Sequence, residues 1–124
     1  MVIQESAEMY LETIISLQNK KGNVRAIDIS REMGFSRPTV SIAVHKLEEN
    51  GYLKIDENGF ISLLPPGKEI AEKILERHNI LKTIFIRLGV SEKTAEKDAC
   101  RIEHVISEET FDCLKKHINS FKQE

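Results

Sequence analysis

The stretch "FSRPTVSIAVHKLEENGYLKIDENGFISLL", Phe35 to Leu64, decides the fold. Ser36 is a good N-cap, and Pro38 falls in the first turn of the helix it opens, where a missing N–H costs nothing. Val40, Val44 and Leu47 repeat at helical spacing and predict a buried stripe. Gly51 ends that helix. "YLKI", "DENG" and "FISLL" then predict a hairpin: two short strands around a tight turn holding Gly59. Just upstream, a short helix over Ile27–Met33 stops at Gly34, a natural left-handed C′ residue. Helix, glycine turn, helix and hairpin have the shape of a winged helix-turn-helix. In that motif the second helix enters the DNA major groove and the wing lies along the backbone.

Outward from this stretch the chain is almost wholly helical. Ser6 is expected to cap a first helix running to about Lys20, with Tyr10, Ile14 and Leu17 on one apolar face and "KKGN" as its end. Pro65-Pro66 marks a boundary. Beyond it a long helix is predicted from about Pro66 to Leu88, with Ile70, Ile74, Leu81, Phe85 and Leu88 as its stripe and Gly89 as its stop. Ser91 caps a further helix to about Ile106. Ser107 caps the last, with Phe111, Leu114, Ile118 and Phe121 on its apolar face. The expected fold is mostly α with a small β-hairpin. Residues 1–64 form a winged-helix DNA-binding domain and residues 65–124 a helical domain. The long apolar stripes of the second half have little chain to cover them, which predicts a homodimer interface.

Composition sets outer limits. With 124 residues, 40% hydrophobic and 31% charged, the chain is of ordinary globular make-up. No apolar run approaches the roughly 20 residues of a membrane span. The start, "MVIQESAEMY", lacks the pattern of a signal peptide, and two cysteines, Cys100 and Cys113, make no disulfide framework. A cytoplasmic location without membrane contact is the expectation. The net charge of −2 does not advertise nucleic-acid binding. Any DNA-facing surface must come from local clustering.

That clustering is found on the helix opened by Ser36. Its outward face carries Arg37, Thr39, Ser41, Ile42, His45 and Lys46, beside Pro38. Hydroxyls and cations at a helix N-terminus suit phosphate contacts, and base readers come from the same face. Ile42 can meet a thymine methyl but offers no hydrogen-bond code. Lys20, Lys21, Arg25 and Arg31 add charge nearby. A solvated helix in a generic domain, or a winged helix used for protein contacts, is the competing reading.

"DACRIEHVIS", Asp98 to Ser107, holds the second informative pattern. Cys100, Glu103 and His104 at i, i+3 and i+4 share one face of a helix. Thiolate, carboxylate and imidazole suit a borderline transition metal, not calcium or magnesium. No CxxC pair marks a structural zinc site. Spacing alone does not choose between a metal site and a polar stripe that contains a cysteine. His78, on the apolar stripe of the long helix, reads by itself as a core histidine, Met9 as core and Glu12 as solvated. Cys100 and His104 can also touch as nucleophile and base, but no oxyanion-hole loop accompanies them, so no enzyme is expected.

Three segments carry a resemblance over about residues 5–121, in order and with consistent spacing. They are "SAEMYLETI", "SRPTVSIAVHKLEENGYL" and "DACRIEHVIS". Together they resemble the diphtheria toxin repressor and manganese transport regulator family of metal-dependent transcriptional repressors, the last segment being similar to its iron-sensing branch. The resemblance implies a winged helix followed by a helical dimerisation domain. It also implies a pseudo-palindromic double-stranded DNA operator and control of metal uptake or homeostasis genes. The chain is expected to lack the SH3-like domain that many members add.

Carried over residue by residue, Met9, Cys100, Glu103 and His104 match the activating site of the iron branch. His78 matches the histidine of a second, ancillary site. That second site departs from the pattern: Lys82 stands where a carboxylate is expected and Glu96 where a histidine is expected. An ammonium sits where a ligand should be, unless Lys82 pairs with Glu96. Glu12 matches a carboxylate of the manganese branch, and His78 is a ligand in both. Fe(II) is the expected metal, because Met and Cys are soft donors, with Mn(II), Co(II) and Ni(II) as alternatives. A Mn(II)-responsive regulator and a winged-helix regulator without metal are the competing functions. Ile42 replaces a base-reading glutamine of the family, which leaves the operator sequence open.

Overall fold

The computed structural model describes residues 5–122, with the side chains of Glu5, Phe121 and Lys122 left out. The expectation for Phe121 therefore lies outside the described residues. The elements run α1 (Glu5–Lys21), α2 (Ala26–Met33), α3 (Arg37–Glu49), β1 (Leu53–Ile55), β2 (Ile61–Leu63), α4 (Pro65–Arg87), α5 (Glu92–Ile102) and α6 (Glu108–Lys122). The chain divides into two compact units, Met1–Lys73 and Ile74–Glu124.

In the first unit α1, α2 and α3 close around Leu11, Ile14, Ile29, Val40 and Val44, all buried. Each helix begins or ends where local chemistry dictates. Asp28 at the third position of α2 accepts a hydrogen bond from the Arg25 amide at 2.9 Å. Such a carboxylate satisfies one of the helix's orphan donors. Gly34 closes α2 at φ 74°, a left-handed conformation that a side chain would strain. Ser36 caps α3 as expected, its side chain accepting from the Thr39 amide at 3.3 Å.

The wing is a two-stranded antiparallel sheet pairing Leu53 with Leu63 and Ile55 with Ile61. Only three residues per strand are regular, and isolated hairpins of this size are marginal in water. Tertiary bonds hold it. The Ile61 amide donates to the Val24 carbonyl at 2.8 Å, Gln18 Nε2 donates to the Ile61 carbonyl at 3.1 Å, and Glu48 Oε2 accepts from the Ile55 amide at 2.8 Å. At the tip, Asp56 Oδ1 accepts from the amides of Asn58 and Phe60, each at 2.9 Å. This is the side-chain mimicry of a turn that Asp favours. Gly67, in the first turn of α4, is buried, and any Cβ there would overlap the Tyr52 carbonyl.

In the second unit Ile74, Leu81, Ala95, Ala99, Phe111 and Ile118 form the core. Ser91 and Ser107 cap α5 and α6, accepting from the amides of Thr94 at 3.3 Å and Thr110 at 3.1 Å. Two expectations need correction. Ser6 lies inside α1 and not at its cap. In turn, α5 stops at Ile102 and not near Ile106; residues 103–105 form a turn in which the Val105 and Ile106 amides both donate to the Ile102 carbonyl. Leu88, on the apolar stripe of α4, is 76% exposed, and Gly89 turns the chain at φ 102° just beyond it. Among the described residues no helix is long and apolar enough to cross a membrane.

Candidate functional site

Two surfaces collect the predicted residues. The first is the N-terminal part of α3. Ser36, Arg37, Pro38, Thr39, His45 and Lys46 are exposed, Ser41 is half-buried, and Ile42 projects at 62% exposure. The inner positions Val40, Val44 and Leu47 are buried, so burial of the apolar stripe is what turns the polar face outward. Ser36 Oγ and Thr39 Oγ1 lie 2.8 Å apart. No acidic residue occupies the first turn of α3. Its free amides, partial positive end and Arg37 suit an anionic backbone. Phe35, 43% exposed, stands just before the cap.

The flanking cations behave differently from one another. Lys21 is tied to Asp28 at 2.6 Å, and this hydrogen bond is the main cause that holds the Asp28 carboxyl below its ordinary value. The Arg25 guanidinium stacks over the Phe60 ring at 4.4 Å, which joins the start of α2 to the wing. Lys20 and Arg31 are exposed.

The second surface is built around the turn after α5. Glu103 is the C-cap residue of α5, its amide donating to the Ala99 carbonyl. Its backbone stays helical at φ −56° and ψ −26°, so its side chain still lies over the face predicted for it although α5 has ended. That side chain is fully buried. A buried carboxylate is costly unless it is paired and hydrogen-bonded. Two imidazoles meet it: His78 Nδ1 lies 2.8 Å from Oε2, and His104 Nε2, equally buried, lies 3.2 Å from Oε1. Cys100 is half-buried on α5. The structure therefore brings His78 and His104 each against the Glu103 carboxyl. His78 is no isolated core histidine.

The other face of the His78 ring is also engaged. Its Nε2 lies 3.0 Å from Glu96 Oε1, and Glu96 Oε2 lies 3.0 Å from Lys82 Nζ. The condition set by the sequence is met: Lys82 pairs with Glu96. His78 is pushed up to about 9, first by the hydrogen bond from its ring to Glu103, with burial opposing and Glu96 adding to the rise. At neutral pH it is an imidazolium donating to two carboxylates. For Glu96, burial would raise the carboxyl, but hydrogen bonds from Lys82 and His78 outweigh it and hold the group below its ordinary value.

The donor set fits a borderline transition ion. A carboxylate and two imidazoles are ligand types such ions take, and here the Glu103 carboxyl is buried against both rings. Met9 and Glu12 lie half-buried on α1, where Thr13 Oγ1 donates to the Met9 carbonyl at 2.8 Å.

One residue of this region has no place in the sequence reading. Arg77 is 9% exposed and donates from Nη1 to the carbonyls of Glu103 and Ile106, each at 3.2 Å. A signal for it exists: Ile70, Ile74, Arg77 and Leu81 keep helical spacing, so a cation stands on an apolar face. Likewise Ala95, Ala99 and Glu103 put a carboxylate on a stripe of small buried residues.

Comparisons with known proteins agree with this geometry. Residues 3–59 match the model of the iron dependent repressor N-terminal DNA binding domain, and residues 65–124 match that of the iron dependent repressor metal binding and dimerisation domain. The chain is 33% identical over 111 residues to the transcriptional regulator MntR of Salmonella typhimurium, covering 90% of this chain and 71% of that protein. It is 30% identical to an uncharacterized HTH-type transcriptional regulator of Methanocaldococcus jannaschii, covering 97% of this chain and 98% of that one. Among solved structures, IdeR of T. acidophilum is similar at a TM-score of 0.80 and 26% identity, over 96% of this chain and 55% of that one. A manganese-dependent transcriptional repressor in complex with manganese shares the fold at a TM-score of 0.82 and 24% identity, over 91% of this chain and 52% of that one. The chain thus spans about half the length of these two solved chains. A winged helix, a helical unit with a buried Glu and His cluster, and family models matched in order lead to one conclusion: the chain belongs to the iron-dependent repressor family of metal-dependent transcriptional repressors.

Proposed function

We propose that this chain is a transcriptional repressor that senses Fe(II), binds a pseudo-palindromic operator as a homodimer and controls metal uptake or homeostasis genes. The observation that carries the reading is the buried Glu103 carboxylate held between His78 and His104. Cys100, Glu103 and His104 serve as donors from the second half and Met9 from α1, with Glu12 and His78 as further donors. The parts played by Met9 and Glu12 rest on the sequence resemblance. Residues 1–64 act as the DNA-binding domain and residues 65–124 as the metal-binding and dimerisation domain.

Bound by these donors, a divalent ion would supply the positive charge that stabilises the DNA-binding form. Met9 reports that state to α1, which packs with α2 and α3 in the first unit. In the homodimer, the two α3 helices must stand close to a multiple of the roughly 34 Å DNA repeat to enter successive major grooves. Ser36, Arg37, Thr39 and Lys46 then take phosphates, Pro38, Ser41 and His45 line the same contact, and Ile42 faces the bases. A hundredfold rise in apparent DNA affinity requires the ion to favour that state by about 2.7 kcal/mol.

A Mn(II)-responsive regulator is the second reading, favoured by the likeness to relatives named MntR and to the manganese-dependent repressor solved with manganese. Met9 and Cys100 favour Fe(II), Co(II) or Ni(II), because thioether and thiol are softer than the oxygen donors Mn(II) prefers. An enzyme is not proposed, since Cys100 and His104 serve here as donors.

A gel-shift titration separates these readings. Anaerobic Fe(II) and, in parallel, Mn(II) are titrated against an operator selected from random duplex DNA. Activation by Fe(II) at lower free concentration supports the first reading, and activation by Mn(II) alone supports the second. Equal DNA affinity with metal and with chelator leaves a regulator without metal.

A further inference from the structure

We infer that Arg77 is a positioning residue for the metal donors, fixing the turn that carries Glu103 and His104 through its backbone. The inference rests on the metal reading proposed above. Arg77 Nη1 donates to two carbonyls of that turn, Glu103 O and Ile106 O, both at 3.2 Å. Its guanidinium lies 5.3 Å from the centroid of the Phe111 ring. Its Nε makes no hydrogen bond, and among the described residues no carboxylate forms an ion pair with it. Burying a cation without a counter-ion is unfavourable unless other groups compensate. Here the compensation comes from the Glu103 carbonyl at the C-terminal end of α5, where a helix carries partial negative charge, from the Ile106 carbonyl beyond the turn, and from the face of an aromatic ring.

The neighbouring residue explains what this arrangement achieves. His78 holds the Glu103 carboxylate, and Arg77 holds the Glu103 carbonyl. Adjacent residues of α4 thus grip both ends of one donor residue. If the Glu103 carboxylate and the His78 ring were both to serve as donors to an ion, this side-chain grip would be lost. The backbone grip does not depend on it, so residues 103 and 104 keep their places. A donor set held before the ion arrives has less ordering to do on binding, which is how preorganisation raises affinity.

The test titrates Co(II), a spectroscopic probe, into the full chain and into R77K, R77Q and F111L. Absorption bands of the bound ion are read with metal, and thermal melting is read without it. Both Arg77 variants should bind Co(II) at least about tenfold more weakly, a loss of ~1.4 kcal/mol, and shift the bands. R77K, which keeps the charge, should be the milder of the two. F111L should lower the melting temperature and leave the bands where they are, so that weaker packing alone is told apart from displaced donors. Wild-type bands and near wild-type affinity in R77K and R77Q overturn the inference. R77K alone decides if R77Q does not fold. A wild-type chain that shows no Co(II) bands overturns the metal reading, and this inference with it.

Discussion

Around Ser36 the polar groups face water; around Glu103 they face each other. The α3 surface consists of exposed side chains set on one helix by a buried stripe, with every contact among them local. The turn after α5 gathers groups from distant positions, His78 and Glu103 being 25 residues apart, around a carboxylate with no exposure at all. One surface waits for a partner that brings its own charge. The other has its carboxyl groups already engaged by His78 and Lys82, so an ion that takes Glu103 and His78 as donors must displace such contacts. DNA binding on the first surface should therefore respond to salt, and metal binding on the second to pH.

The double change Cys100→Ser with His104→Ala should abolish metal-stimulated DNA binding outright. The far-ultraviolet circular dichroism should keep its helical signature and salt-dependent non-specific DNA binding should persist. Survival of metal activation would place the ion elsewhere. Glu103→Ala leaves two imidazoles without their shared anion and should cost the metal-free protein about 3 kcal/mol or more, measured by urea unfolding. A cost under about 1 kcal/mol would show that the cluster is not the buried ion pair described.

Gly67→Ala serves as a contrast away from both surfaces. Its Cβ must push the Tyr52 carbonyl aside, so stability should fall by about 1–3 kcal/mol. The metal concentration needed for half-saturation should stay unchanged. If that concentration moves, the wing junction takes part in sensing.

The pH dependence is a smaller effect with a definite sign. His78 has its value raised on folding, so its contribution to the metal-free protein is complete below the ordinary imidazole value of 6.5 and is lost as pH rises through about 9. Urea midpoints should fall across that window, and His78→Gln should flatten the fall. Metal affinity should rise over the same window, because the imidazole must shed its proton to donate to an ion. Smallest of all, Lys46→Ala should weaken binding to every DNA sequence alike and reduce the salt slope by about 1. Ile42→Gln should instead change which sequences are selected. If both variants behave alike, the division of α3 into phosphate and base contacts is wrong.

Local chemistry made much of the first unit legible. Ser36 with Pro38, Gly34 after a short apolar run, and Asp56 to Gly59 between alternating stretches each carry their own turn or cap signal. The structure places α3, the α2 stop and the hairpin where those signals put them. The same holds for the Ser91 and Ser107 caps. The end of α5 was not legible, because no glycine or proline follows Ile102. What stops the helix there is a turn whose carbonyls find Arg77, a donor 26 residues away from Glu103.

By itself, then, the sequence determined the caps of α3, α5 and α6, the wing, the order of elements and the donor types in "DACRIEHVIS". Those depend on interactions within a few residues, where side-chain identity is enough. Only the tertiary structure decided that Glu103 is buried, that His78 is an imidazolium shared by two carboxylates, that Lys82 closes on Glu96, and that Arg77 anchors the turn. Burial and long-range pairing set the cost of a charge, and no spacing along the chain encodes them.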